Sequence, residues 1–248
     1  MPNFKVRDTT PELMDTEVCT YEDFRSCLEQ LAQVNRLTFA YRPTIAFFDE
    51  LLRTQQLDLS RPLSIMDIGS GYGDMLRQID RWAERRHVRV DLQGVDINPW
   101  AARAAAEATL PDRPIRWITD DLFNYRPNGG VDIIISSLFT HHLHDAKLVR
   151  FVQWMENHSR IGWMVNDLQR HPIPYYAVKY AFRATLRHRF IQHDGPVSIA
   201  SAFLRSDWSG YARAAGLPDD TLSIQVWIPF RLRISRVKRL ERATSDQV

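Results

Sequence analysis

Residues 64–74, Ser64-Ile-Met-Asp-Ile-Gly-Ser-Gly-Tyr-Gly-Asp74 (SIMDIGSGYGD), join a short apolar run to an acid and three alternating glycines. An apolar run of strand length that ends in glycines is what an open parallel sheet places at a ligand crevice, because ligands bind beyond the carboxyl ends of its strands. Glycines there let backbone approach a ligand with no Cβ between them. A dinucleotide turn carries G-x-G-x-x-G, which sets a pyrophosphate on the following helix N-terminus. This turn reads G-x-G-x-G, with Asp67 two residues before the first glycine and Asp74 directly after the third. Acids at both ends suit a cationic ligand better than a diphosphate. A nicotinamide-type oxidoreductase stays open as the alternative at this level.

Outward from the turn, the pattern repeats. Strand-length apolar runs at 64–68, 88–95, 115–119, 131–136 and 161–165 alternate with helical segments near 73–85, 99–108 and 146–157. Nearly continuous apolar strands separated by helices predict a Rossmann-like, doubly wound α/β sheet, mostly parallel and covered on both faces. Two further runs, 222–228 and 232–234, predict an antiparallel pair at the edge of a seven-stranded sheet. Upstream, Phe24, Leu28, Leu31, Val34 and Leu37 recur at helical spacing, and Pro43 opens a second helix. Residues 1–18 show no period and read as a loose arm. The expected organisation is an arm and helical cap over 1–60 and a cofactor-binding domain over 61–248. Within the latter, an aromatic and basic insertion at about 168–205 precedes the last helix, near 206–215.

Composition bounds the rest. The chain has 248 residues, 44% hydrophobic and 25% charged, enough to bury a full core. A net charge of +2 calls for no nucleic-acid partner. Cys19 and Cys27 make neither a disulfide framework nor a zinc ligand set, so a reduced, cytoplasmic protein is the expectation. No apolar run reaches membrane-span length, and the first residues lack a signal-peptide core.

Four stretches in order resemble the class I S-adenosylmethionine-dependent methyltransferases: DIGSGYGD at 67–74, Asp96 in GVDINP, Asp121 in ITDDLF, and VDIIISSLFTHHL at 131–143. The resemblance covers 64 to about 166. QVNRLTFAYRPT in the preface and HDGPVSIASAF later are similar to bacterial small-molecule members of the group. It implies S-adenosyl-L-methionine as cofactor, with Asp96 accepting both ribose hydroxyls and Ile97 packed on the adenine. Asp121, or its neighbour Asp120 after a one-residue slip, would take the adenine amino group, and Leu122 the other face of the ring. Asp67, Gly69, Ser70, Gly71 and Ser137 would line the methionine end. Asp74 is either a further contact there or a cap on the following helix.

Methyl transfer to oxygen also needs a base, and histidine is the usual one. Of eight histidines, His142 and His193 are the first choices, each read as a loop residue: His141 and His142 follow the fourth strand, and His193 lies beside Asp194 after the aromatic stretch 171–190. Nucleic-acid amino methyltransferases typically carry Asn/Asp-Pro-Pro-aromatic after the fourth strand, and catechol-type enzymes carry metal-binding acids there. SSLF at 136–139 has neither, and Asp145 and Asp167 restore no recognisable ligand spacing, so a metal-free reaction is expected. Substrate contacts are expected from Arg42, His141 and Tyr176. Asn35, Tyr41, Tyr175, Tyr180 and Phe182 would extend a lid over a flat phenolic, polyketide-like or quinone-like acceptor of the kind met in secondary metabolism. Lys179, Arg183, Arg187 and Arg189 would allow that lid a peripheral membrane contact. The basic tail RLRISRVKRLER reads as solvated surface rather than an RNA site. A cofactor-binding partner subunit without catalysis is the reading from a different functional class, and nothing in the sequence fixes the oligomeric state.

Overall fold

The computed structural model describes residues 2–54, 56–127, 130–185, 188–218 and 220–238, with the side chains of 182–185 outside the description. Three helices come first: α1 (Leu13–Thr16), α2 (Tyr21–Leu37) and α3 (Arg42–Arg53). The alternating half then runs β1 (Leu63–Ile68), α4 (Asp74–Arg86), β2 (Val90–Asp96), α5 (Pro99–Glu107), β3 (Ile115–Thr119) and β4 (Val131–Ser137). A 3-10 turn (Thr140–His142), α6 (Asp145–His158) and β5 (Ser159–Leu168) follow. The insertion holds α7 (Pro172–Thr185) and α8 (Arg189–Ser201), and the chain closes with α9 (Arg205–Ala214), β6 (Ser223–Trp227) and β7 (Arg231–Val237).

The strands form one sheet in the order β3-β2-β1-β4-β5-β7-β6. β1 to β5 pair in parallel, while β7 runs antiparallel to both β5 and β6, so the expected edge pair is a hairpin with β6 outermost. Strand order reverses between β1 and β4, and that switch point is where the glycine turn after β1 emerges.

Alternation of side chains along the strands divides the core in two. On one face Ile65, Ile133, Ile135 and Met164 pack with Phe47, Phe48 and Leu51 of α3 and with Leu76, Ile79 and Trp82 of α4. On the other, Met66, Ile68, Ile134, Trp163 and Val165 pack with Leu148, Phe151 and Met155 of α6 and Trp208 of α9. The helical cap therefore shares the main core through α3, and position 60 marks a change of pattern rather than of core. α2 lies on α5, with Phe24 and Leu28 against Ala101 and Ala104. Local signals place the helix starts: Thr20 caps α2 by accepting from Asp23 N–H, and Asn98 caps α5 by accepting from Trp100 N–H, with Pro99 just inside.

Three expectations need correction. The arm is not loose: Arg7 donates to the carbonyls of Ser201, His141 and Leu143 and to Asp145 and Tyr211. One guanidinium replaces the apolar period that would have announced an ordered segment. The fifth strand is longer than its apolar run, because Asn166 and Asp167 continue it as fully buried polar residues. His193 lies in no loop; it is inside α8. Phe182 and Arg183 as side chains, Arg187, and the tail from 239 onward lie outside the described residues. No described helix is long and apolar enough to cross a membrane.

Candidate active site

The turn between β1 and α4 is built from left-handed glycines. Gly73 (φ +72°) precedes α4, and a Cβ there would fall 2.2 Å from the Trp117 ring, so neither conformation nor space admits another residue. At Gly71 (φ +49°) a Cβ would meet only Leu28, at 4.0 Å, which leaves open space over the turn. Asp96 ties the turn to the end of β2: its two carboxylate oxygens accept the Gly71 and Asn98 N–H groups, each at 2.9 Å. Burial raises Asp96 above the ordinary carboxylate range, and those two N–H groups partly offset it. A carboxylate offers about four lone-pair sites, so two stay available for a pair of hydroxyls. Ile97, beside it, is 69% exposed at the crevice mouth.

The methionine end of the expected ligand has a matching gap. Asp67 is 1% exposed, and its Oδ1 is buried with no partner among the described residues. Burial, with repulsion from Asp74 and Asp96, pushes it well above the usual carboxylate range. A buried, unsatisfied carboxyl beside two further acids fits a cationic ligand group such as an ammonium. Ser137 Oγ and Asn166 Oδ1, paired across β4 and β5, are likewise buried without partners among the described residues. Ser70 is buried at the turn, while Gly69 closes against the Phe139 ring.

Asp74 begins α4 and accepts hydrogen bonds from Tyr41 Oη (2.8 Å) and Asn35 Nδ2 (3.2 Å), which hold the cap against the turn. Arg42 is not drawn into that contact; it is exposed and lies 5.5 Å over the Phe39 ring. Asp121 Oδ1 accepts the Phe123 N–H at 2.9 Å, a local turn bond, and Asp120 donates its N–H to the Asp96 carbonyl. Leu122 is 8% exposed and belongs to the main core. Tyr176 stacks with Tyr180 and meets Tyr175 and Phe4 edge-on.

Beyond β4, Leu138 takes a left-handed conformation (φ +55°), a strained choice for leucine that turns the chain into the 3-10 segment. His141 and His142 are thereby set side by side, ring centroids 4.4 Å apart. His141 Nδ1 donates to Asp167 Oδ1 at 2.7 Å, and Asp167 Oδ2 accepts from Thr140 Oγ1 and the His141 N–H. Burial would raise Asp167, but His141 and these bonds outweigh it and hold it at about 2. His142 Nδ1 lies 2.9 Å from Asp15 Oδ2. Burial disfavours its charged form, yet the Asp15 bond and the charges of Glu12, Asp15 and Asp167 push it up to about 9. Both Nε2 atoms point at Glu12, at 3.6 and 3.9 Å. The group borders a cavity of about 670 Å³ roofed by the arm and also lined by Arg7, Asp145 and Tyr211. Asp96 feels the charges of His142 and Asp15, which ties this cluster to the end of β2 and the glycine turn.

His193 is not brought to this cavity. Its Nδ1 bonds the adjacent Asp194, whose carboxylate also accepts the Leu13 and Met14 N–H groups at the start of α1. Sequence reasoning missed Glu12, Asp15, Asn166 and Arg231, the last buried with an Nη1 that has no partner among the described residues. Two of these lie in the aperiodic arm and two inside strands, where polar residues carry no local signal.

Residues 65–162 match the family model of a methyltransferase domain. No curated protein sequence matches significantly. Among solved structures, the plantazolicin methyltransferase BpumL, bound to a triazolic desmethylPZN analog and SAH, aligns with a TM-score of 0.62 at 14% identity, covering 86% of this chain and 90% of that one. The magnesium protoporphyrin IX methyltransferase of Synechocystis PCC 6803 with bound SAH gives 0.52 at 13% identity, covering 81% and 84%. The CMeT domain of a citrinin polyketide synthase gives 0.59 at 12% identity, covering 79% and 51%. The match spans the glycine turn, Asp96 and the end of β4, so residues 65–162 form a methyltransferase domain, and the chain has the fold of methyltransferases solved with bound SAH.

Proposed function

We propose that the chain methylates an oxygen of a flat aromatic small molecule, phenolic or polyketide-like. The observation that carries this reading is the pair of carboxylate-tethered imidazoles at the end of β4, beside a cavity of about 670 Å³. S-adenosylmethionine, held by Asp67, Gly71, Asp96 and Ile97, would supply an electrophilic methyl group. The protein then has two tasks. It holds the acceptor oxygen in line with the methyl, a positioning effect worth up to about 7–11 kcal/mol. It also gives the acceptor's proton somewhere to go: the cluster of two imidazoles and three carboxylates takes it when His142 is deprotonated, so the rate should rise with pH toward the His142 value of about 9. His142 keeps the role expected of it as part of that cluster; His193 does not, because Asp194 and α8 hold it elsewhere. A relative that belongs to a polyketide synthase supports an acceptor of this class.

The test is product analysis with methyl-labelled S-adenosylmethionine across phenols, hydroxyquinones and polyketide lactones. Methyl ethers are expected, and His142→Gln is expected to lower kcat by about 10²-fold or more without changing cofactor affinity. Label found on carbon or nitrogen, with none on oxygen, overturns the reading.

A further inference from the structure

We propose that Glu12, His141 and His142 form a binding site for one divalent transition cation, of the zinc class. One ligand atom from each residue lies within 4.8 Å of the others. The two Nε2 atoms stand 3.6 and 3.9 Å from the Glu12 carboxylate, and ligands about 2.0–2.2 Å from a tetrahedral ion stand about 3.3–3.6 Å apart, so closing on an ion needs side-chain movements of no more than about an ångström.

Orientation is the stronger argument. A metal-ligating histidine usually donates its other ring N–H to a carboxylate, which fixes the ring and makes the ligating nitrogen more basic. Here both do: Asp167 holds His141 Nδ1 and Asp15 holds His142 Nδ1, and both Nε2 atoms converge on one carboxylate. Charge points the same way. Three carboxylates surround two imidazoles; Arg7 is engaged by Asp145 and backbone carbonyls, and Arg231 offsets the charge of Asp167 alone, which leaves Glu12 and Asp15 to the two imidazoles. Ser198 donates to Glu12, which leaves that carboxylate further lone pairs. Two histidines and one glutamate leave a fourth position open, and it would face the cavity.

The sequence expectation of no metal rested on the absence of acids directly after the fourth strand. Glu12 reaches that point from the arm, a route no local spacing shows. With an ion bound, the two Nε2 atoms are ligands rather than bases, and coordination of an acceptor oxygen at the open position would ease loss of its proton to solvent, a consequence that rests on the O-methylation reading. Metal binding itself does not.

The experiment uses the full chain, stripped with a chelator and titrated with Zn²⁺ or Co²⁺ alone, without acceptor. One equivalent per chain is expected by calorimetry and by metal analysis after dialysis. The Co²⁺ form should show the visible absorption of a low-coordinate nitrogen–oxygen site. Glu12→Gln and His142→Gln should abolish that absorption, and Asp15→Asn should weaken affinity by about 10–100-fold. Thermal melts confirm that each variant is folded; Glu12→Gln, on the arm, spares the sheet core. Absence of saturable micromolar binding, or stoichiometric binding that survives both ligand substitutions, overturns the site. Failure of the acceptor panel alone leaves it standing.

Discussion

Asp67 and Asp132 are buried carboxylates on neighbouring strands of one sheet, 1% and 0% exposed, at opposite ends of it. Asp132, near the amino end of β4, accepts two hydrogen bonds from Arg61 (2.6 and 2.7 Å), the Ser64 N–H (2.9 Å) and Arg160 (3.3 Å). Burial would raise it, but these partners outweigh that and hold it below the ordinary range. Asp67, at the carboxyl end of β1, has an oxygen with no partner among the described residues and is pushed the other way. A carboxylate whose lone pairs are filled closes a fold. One left open at the cost of burial can take a ligand group, the role proposed for Asp67, and Ser137 and Asn166 carry unfilled atoms at the same end.

The comparison can be broken at either end. The largest effect is expected at Asp96, the other acid of the ligand end. Two hydroxyl hydrogen bonds to a charged acceptor are worth about 1.5–3 kcal/mol each, so Asp96→Ala should weaken S-adenosylhomocysteine binding by at least about 10²-fold in calorimetry. Unchanged affinity would remove the ribose assignment. Next is Asp132→Asn, which gives up charge-assisted bonds to Arg61 and should cost about 2–3 kcal/mol, roughly 5–10 °C in Tm, with cofactor affinity unchanged. If affinity falls as well, the two ends are not separable.

Asp67→Asn should act with the opposite sign on stability. An amide carries no charge to bury, so the cofactor-free protein should gain about 1–2 kcal/mol while cofactor affinity falls about tenfold. The pH dependence sharpens this. Asp67 has its folded pKa raised, so its unfavourable contribution sets in as pH rises above the ordinary carboxylate value near 4, and the stability gained by Asp67→Asn should vanish below that pH. Asp132 has its folded pKa lowered, so its contribution is present above about pH 4 and is lost as pH falls through the lower folded value. Melting curves of the two variants against wild type, from about pH 3 to 8, should show differences of opposite sign at neutral pH that both shrink in acid. Two curves of the same sign would contradict the assignment.

What could be read in advance divides along the same line. The end proposed for the cofactor is made of residues 67–74 and 96, one strand–turn–helix unit and the end of the next strand, where glycine spacing and an acid are local signals. The parallel run of strands and its antiparallel edge pair also followed, because alternation of apolar runs with helices leaves few topologies. The histidine cluster joins Glu12, Asp15, His141, His142 and Asp167, and each partner sits in a segment without period. Polar residues inside strands, such as Asn166 and Arg231, look like breaks in an apolar run until the packing shows what they face. The arm was opaque for a related reason: its order comes from Arg7 reaching five acceptors, a property of the folded surface.

The smallest effect is expected at Tyr41, where the cap meets the turn. Its hydroxyl donates to Asp74 at 2.8 Å and also contacts the Ala32 carbonyl at 3.1 Å, and burial, with Asp74 adding to it, raises its pKa, so it stays a neutral donor. Tyr41→Phe removes one donor from an acid that still accepts from Asn35. A hydrogen bond to a carboxylate, lost where a second donor remains, should cost about 1 kcal/mol. Asp74 adds to the charge that raises Asp67, so changing its neighbours should shift cofactor binding a few-fold and leave kcat in place. An effect on kcat beyond about tenfold would mean that the cap positions the acceptor as well as the cofactor, and the division of the sheet into a closed end and a ligand end would have to include α2 and α3.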